Sequence, residues 1–143
     1  MQIMIGRIVS QRLRTNVLTS ARFHGTITRI DQTTLPTMSQ AVIHNNVVYI
    51  SGQIDNEGKD VETQTKNVLA KIDGLLKDAG TDKSKLLTAS IWLKDIEKDF
   101  ATMNKVWCDW IDPNAKPARA TTEANLARPN LLVEVQVYAA IDK

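Results

Sequence analysis

One cysteine, Cys108, stands in 143 residues, so the chain has no disulfide framework and no cysteine-built zinc site. Cys108 falls inside a helical pattern and reads as a half-buried packing residue. The two histidines, His24 and His44, are isolated from each other and read as surface or turn residues, not as a metal pair. No apolar run approaches the roughly 20 residues needed to cross a bilayer. There is no glycine-rich phosphate loop, and nothing like Gly-x-Ser-x-Gly surrounds Ser51 and Gly52. Nucleophilic catalysis therefore has no support in the sequence. Aromatic residues are scarce at 5%, while the hydrophobic fraction of 43% is ordinary for a globular chain. This length accommodates a single domain with one core.

Acidic residues are missing from the first 30 positions, which carry Arg7, Arg12, Arg14, Arg22 and Arg29. The remainder holds 13 basic against 16 acidic residues, so the net charge of +2 belongs to the N-terminal segment. A mildly acidic remainder argues against a broad phosphate-binding surface and hence against nucleic acid as a partner. Residues 1–24 are expected to be an N-terminal extension: an organelle transit peptide, the product of an upstream start codon, or a segment that packs on the domain. The single cysteine fits the cytoplasm, or the mitochondrial matrix if the extension is a transit peptide.

The domain is expected over residues 25–143. Thr26–Ile30 alternates as a short strand, and Gln40–His44 makes a second. Asn45-Asn46 is a hairpin turn, because asparagine tolerates positive φ. Val47–Ile54 is a third strand, in which Gly52 predicts a bulge or a close approach of something to the backbone. Asp60 caps a helix that runs to Ala79 and closes at Gly80, with Val68, Leu69, Ile72, Leu75 and Leu76 as its buried stripe. Thr88–Leu93 is a fourth strand. A second helix starts near Ile96, places Ile96, Phe100, Met103, Trp107 and Trp110 on one side, and stops at Asp112-Pro113.

Two more strands lie within residues 117–141. The order β-β-β-α-β-α-β-β predicts an α+β domain with both helices on one face of a single sheet. In the last strand Val133, Val135, Val137, Ala139 and Ile141 should meet the helices. Arg119, Thr121, Glu123, Glu134, Gln136 and Tyr138 are expected on the opposite face, against another subunit. An arginine fork binds a carboxylate through two parallel bonds, and a carboxylate can orient and deprotonate water. Arg119 and Glu134 are thus the candidate pair, for a small acid bearing a reactive C=N or C=C–N group. The competing reading is a structural pair on a wet sheet face.

Three segments carry a resemblance to a known family. They are Met-Ser-Gln-Ala-Val-Ile-His-Asn-Asn-Val-Val-Tyr-Ile-Ser-Gly-Gln at 38–53, Thr-Lys-Asn-Val-Leu-Ala-Lys-Ile-Asp-Gly-Leu-Leu-Lys-Asp-Ala-Gly at 65–80, and Lys-Pro-Ala-Arg-Ala-Thr-Thr-Glu-Ala through Leu-Val-Glu-Val at 116–135. Together they resemble the YjgF/YER057c/UK114 family, also called the RidA or Rid family. The resemblance implies a chorismate-mutase-like fold, a homotrimer with a barrel core and ligand clefts between subunits. It also implies hydrolysis of enamine/imine intermediates such as 2-iminobutanoate and 2-iminopropanoate to 2-keto acids and ammonia, without metal or organic cofactor. By the same resemblance Arg119 clamps the substrate carboxylate and Glu134 handles the attacking water. Ser51, Gly52, Asn104 and Thr121 line the cleft, and Met38 stands where many members have a substrate-contacting tyrosine. The alternatives are a non-catalytic trimer that binds small carboxylates and an RNA-cleaving translation inhibitor.

Overall fold

The computed structural model describes residues 25–31, 33 and 35–142; the extension expected over residues 1–24 lies outside them. Six strands form one sheet: β1 (Thr28–Ile30), β2 (Ala41–His44), β3 (Val47–Ile50), β4 (Leu86–Leu93), β5 (Ala118–Glu123) and β6 (Val133–Ala140). Two helices, α1 (Val61–Asp78) and α2 (Ile96–Trp110), complete the order predicted from the sequence.

The turn and cap signals have their structural counterparts. Asn45 and Asn46 have φ of 49° and 63°, the left-handed pair that joins β2 to β3. The Asp60 carboxylate accepts from Thr63 N at 2.8 Å at the start of α1. At its end Gly80 has φ of 80°, and Thr81 N donates to Leu76 O at 2.9 Å. Only a residue without a Cβ takes that conformation cheaply, so the glycine stops the helix. Asp95 starts α2, accepting from Lys98 N at 2.9 Å. The Glu123 carboxylate, at the end of β5, accepts from Ile96 N at 2.9 Å and adds a second negative group at the α2 N-terminus.

The strand order across the sheet is β1-β2-β3-β6-β4-β5. All neighbours are antiparallel except β4 and β5, which α2 joins as a parallel crossover. Insertion of β6 between β3 and β4 leaves those two parallel as well, with α1 as their crossover. Both helices cover the same side. Val68, Leu69, Ile72 and Leu76 of α1 and Met103, Val106 and Trp107 of α2 pack with Val48, Ile50, Ala89, Ile91, Leu93 and alternate residues of β6. Two positions of α2 differ from the sequence pattern: Phe100 is 39% exposed, while Asp99 is buried one turn before Met103. The inward stripe starts at Asp99 because i and i+4 share a helix face.

Register overturns one expectation. Residues directly paired across strands put their side chains on the same face. Arg119 pairs with Ala89, Thr121 with Ile91 and Glu123 with Leu93, all three of these partners being buried under the helices. Glu134 instead pairs with Trp92, which pairs in turn with Thr122. Arg119, Thr121 and Glu123 therefore lie on the helix side, while Glu134, Gln136 and Tyr138 lie on the open side. The weak alternation of β5, Ala118 and Ala120 against Arg119 and Glu123, points the other way, and pairing with β4 overrides it.

The open side is not a plain wet surface. Val42, Val47, Tyr49, Trp92 and Tyr138 share it, and the rings of Tyr49 and Tyr138 meet edge-on with centroids 5.0 Å apart. His44 ends β2 on this side, with its Nδ1 buried and without a hydrogen-bond partner among the described residues. The opposite side holds the core. Ile72 is fully buried at its centre, and Ile72→Ala is expected to cost about 2–5 kcal/mol of unfolding free energy in urea titrations.

Candidate functional site

Arg119 is the second residue of β5, the edge strand on which the sheet ends. Its Nη2 donates to Asn104 Oδ1 at 2.8 Å, and its guanidinium carbon sits 5.3 Å from the centroid of the Trp107 ring. Both partners come from the face of α2 that packs over β5, and Trp107 is itself buried. Both are uncharged, so the guanidinium is oriented without being neutralised. A cavity of about 300 Å³ opens between Arg119 and Asn104, Trp107, Cys108, Ile111, Lys116 and Pro117. On the same face of β5, the Thr121 hydroxyl is buried with no hydrogen-bond partner among the described residues.

Cys108 is exposed on this cavity, which corrects its reading as a half-buried packing residue. It sits one residue past Trp107, and about 100° of helical rotation turns it off the core stripe. Asn104 Nδ2 lies 3.9 Å from its sulfur, so this amide bridges thiol and guanidinium.

Glu134 occupies a different environment. Its carboxylate lies against Gly52, where any Cβ would overlap Oε1. The close approach expected at Gly52 is thus that of a side chain from β6. The bulge is present too: four steps from Tyr49 to Gln53 stand against three from Tyr138 to Val135. Strand β3 accordingly ends at Ile50, short of Ile54.

A polar network holds the bulge in place. Gln53 Nε2 donates to Gln40 Oε1 at 3.0 Å and to Ser51 O at 3.1 Å, with Ser51 Oγ also at 3.0 Å. The Ser51 hydroxyl is therefore engaged in this network, and Gly52 is the residue that makes room for Glu134. Next along the chain, buried Asp55 accepts from Gly58 N and Asn67 Nδ2, each at 2.9 Å. Burial pushes its carboxyl up, but these bonds and Lys71 outweigh that and leave it below its usual value. Met38 stands exposed in the loop leading to β2.

The sequence-derived site residues thus form two groups on opposite sides of the sheet. Arg119, Asn104 and Thr121 lie on the helix side, with Trp107 and Lys116 as members that sequence reading passed over. Trp107 was read as core, which it also is; Lys116 lies within the quoted Lys-Pro-Ala-Arg stretch. Glu134, packed on Gly52, is the other group. A cavity of about 330 Å³ between the helices is lined by groups already tied to one another: Trp110 Nε1 donates to Asp73 at 2.9 Å and Lys83 sits over the Trp110 ring.

Comparisons with known proteins identify the family and the fold. Residues 30–141 match the protein family described as Endoribonuclease L-PSP. A RutC family protein of Haemophilus ducreyi is 43% identical over 117 residues, covering 81% of this chain and 97% of its own. The chain belongs to the RutC/YjgF family. The RutC family protein YoaB of Escherichia coli is 42% identical over 116 residues, covering 81% of this chain and 99% of its own. Among solved structures, NMB1025 of Neisseria meningitidis, a YjgF family member, superposes with a TM-score of 0.79 at 39% identity, covering 84% of this chain and 98% of its own. The RutC/YjgF chain described here has the chorismate-mutase-like α+β fold.

Burial raises the Glu134 carboxyl above its ordinary value. The unfolded chain ionises this group more readily, so the folded state loses stability as pH rises through the ordinary glutamate range. The loss is complete above the raised value. Glu134→Gln is expected to increase Tm at neutral pH, and the gain should vanish below the ordinary glutamate range. Thermal melts of both proteins across pH check this; an equal gain at acid pH would assign the effect to packing.

Proposed function

We propose that the chain hydrolyses reactive 2-imino acids to 2-keto acids and ammonia, at clefts between the subunits of a homotrimer. The observation that carries this reading is the state of Arg119. Its guanidinium is held by a neutral amide and an aromatic ring, and no carboxylate pairs with it among the described residues. A positive fork kept in place and left unpaired suits a carboxylate ligand. The buried, unpartnered Thr121 hydroxyl on the same face supports a polar ligand there.

Glu134 supplies the second role. Its burial favours proton uptake, which suits a group that accepts a proton from water and returns it. With Arg119 holding the carboxylate, the C=N carbon is presented in one orientation. Water attacks that carbon while Glu134 takes one of its protons and passes it to the nitrogen, giving a carbinolamine. The hydroxyl proton then follows by way of Glu134 as the C–N bond breaks and the C=O bond forms. The products are the keto acid and ammonia. An imine is already electrophilic, so the chemistry makes modest demands on the protein.

The opposite-face placement of the two residues bears directly on assembly. Arg119 sits on the terminal strand and faces α2, while Glu134 faces the open side of the same sheet. A site using both is completed by two copies, one offering the margin at β5 and the other its open face. On that open face Tyr49 is exposed and Trp92 and Tyr138 are half-buried, which suits burial against a second copy. The endoribonuclease description attached to the family has less support here. His44 is the one histidine among the described residues, and acidic residues outnumber basic ones after position 30.

A coupled assay tests the proposal. An amino-acid oxidase or dehydratase generates 2-iminopropanoate or 2-iminobutanoate, and loss of the imine is followed. Added protein is expected to accelerate hydrolysis, and Arg119→Ala to lower kcat/KM by about a hundredfold through lost orientation. Arg119→Lys should not restore it, because a point charge lacks the fork. Co-refolding Arg119→Ala with Glu134→Ala should recover activity absent from either alone, since mixed trimers contain some intact clefts. No acceleration over buffer by the wild-type protein would leave the non-catalytic, carboxylate-binding reading in its place.

A further inference from the structure

The cavity beside Arg119 has an unbalanced charge. Two of its lining residues, Lys116 and Arg119, are cations, and none is an acid. Four lysines elsewhere pair with carboxylates: Lys66 with Glu62, Lys71 with Asp55, Lys85 with Asp142 and Lys105 with Asp109. Neither Lys116 nor Arg119 has such a partner among the described residues. Two unpaired cations beside one cavity of about 300 Å³ repel each other unless an anion joins them.

Their spacing is set by the backbone. Pro117 lies directly after Lys116, its ring restricting φ, and β5 begins at Ala118. Lys116 and Arg119 are three residues apart, so their Cα atoms are separated by at most about 10 Å. Both side chains are long and reach toward the space between them. Trp107, Ile111 and Pro117 give this space apolar walls, suited to a short methylene stem.

We propose that Lys116 is a specificity residue that holds a second carboxylate, so that the preferred substrates are 2-imino dicarboxylic acids. The inference rests on Arg119 being the clamp for the first carboxylate. A monocarboxylic imine would leave Lys116 facing solvent and use only half of the positive charge. A dicarboxylic imine neutralises both cations across one cavity. Lys116 is exposed, so its contribution is screened by salt.

Two measurements on the full-length protein test this separately from catalysis. Calorimetric binding of succinate and butyrate, neither of which reacts, is expected to favour succinate by about fivefold at low salt, the scale of one exposed ion pair. The preference should shrink as salt is added, collapse in Lys116→Met and turn against succinate in Lys116→Glu. Equal binding of the two acids by the wild-type protein, or a preference that survives Lys116→Met, overturns the inference. The second measurement compares kcat/KM for imines generated from aspartate and from alanine, where the aspartate-derived imine should be favoured and Lys116→Met should bring the ratio near one. Imine hydrolysis without that preference overturns the role of Lys116 and leaves the proposed reaction standing. A Lys116-dependent succinate preference without any imine hydrolysis does the reverse.

Discussion

The parallel pairing of β5 on β4, from Thr88–Ala118 to Leu93–Glu123, is the constraint on which the arrangement of this molecule turns. It seats Arg119 opposite Ala89 and under α2, where Asn104 and Trp107 can reach it. It also brings Glu123 to the first turn of α2, so the strand end caps the helix that precedes it in the chain. A shift of one residue would send Arg119 and Thr121 to the open face and reverse every neighbour they have. With the register as it is, the sheet separates a cationic, ring-backed cavity from a half-buried carboxylate.

Both halves of that division are costly to the fold taken alone. A guanidinium left without a carboxylate gains little stability from an amide and a ring. A glutamate on a half-buried face resists ionisation, as its raised pKa shows. Gly52 adds to this, because the bulge it occupies gives up regular pairing between β3 and β6 to admit the Glu134 side chain. The surrounding scaffold is correspondingly well tied. Gln53, Gln40 and Ser51 fix one side of the bulge, and Asp55 fixes the connection beyond it. Gln64 of α1 binds Gly58 O and Asn130 O and accepts from Leu132 N, fastening the loop that leads into β6. Poorly paired charges on a firmly held frame are what a binding site requires, since preorganisation lowers the cost of engaging a ligand.

The two sides also respond differently to conditions. The Arg119–Lys116 cavity is open to solvent, so its attraction for anions falls with ionic strength. Glu134 is shielded, and its behaviour follows pH more than salt. A cleft assembled from the β5 margin of one copy and the open face of another would join these two regimes within one site.

Much of this was legible in the sequence, and the division follows the range of the interactions. The helix starts at Asp60 and near Ile96, the stop at Gly80, the Asn45-Asn46 turn and the alternation of β6 are local, decided by residues within a turn or two of each other. They determined the element order and, with it, the α+β class. Arg119 and Glu134 were recognisable as chemistry-bearing residues for the same reason: their types and their strands are local facts. Which face each takes is not. Ala118 and Ala120 are more apolar than Arg119 and Glu123, so the pattern within β5 points to the wrong inner side, and only the pairing with β4 decides it. The exposure of Cys108, the fit of Glu134 against Gly52 and the meeting of Lys116 with Arg119 beside one cavity arise likewise from contacts between separate elements, which only the tertiary structure could decide.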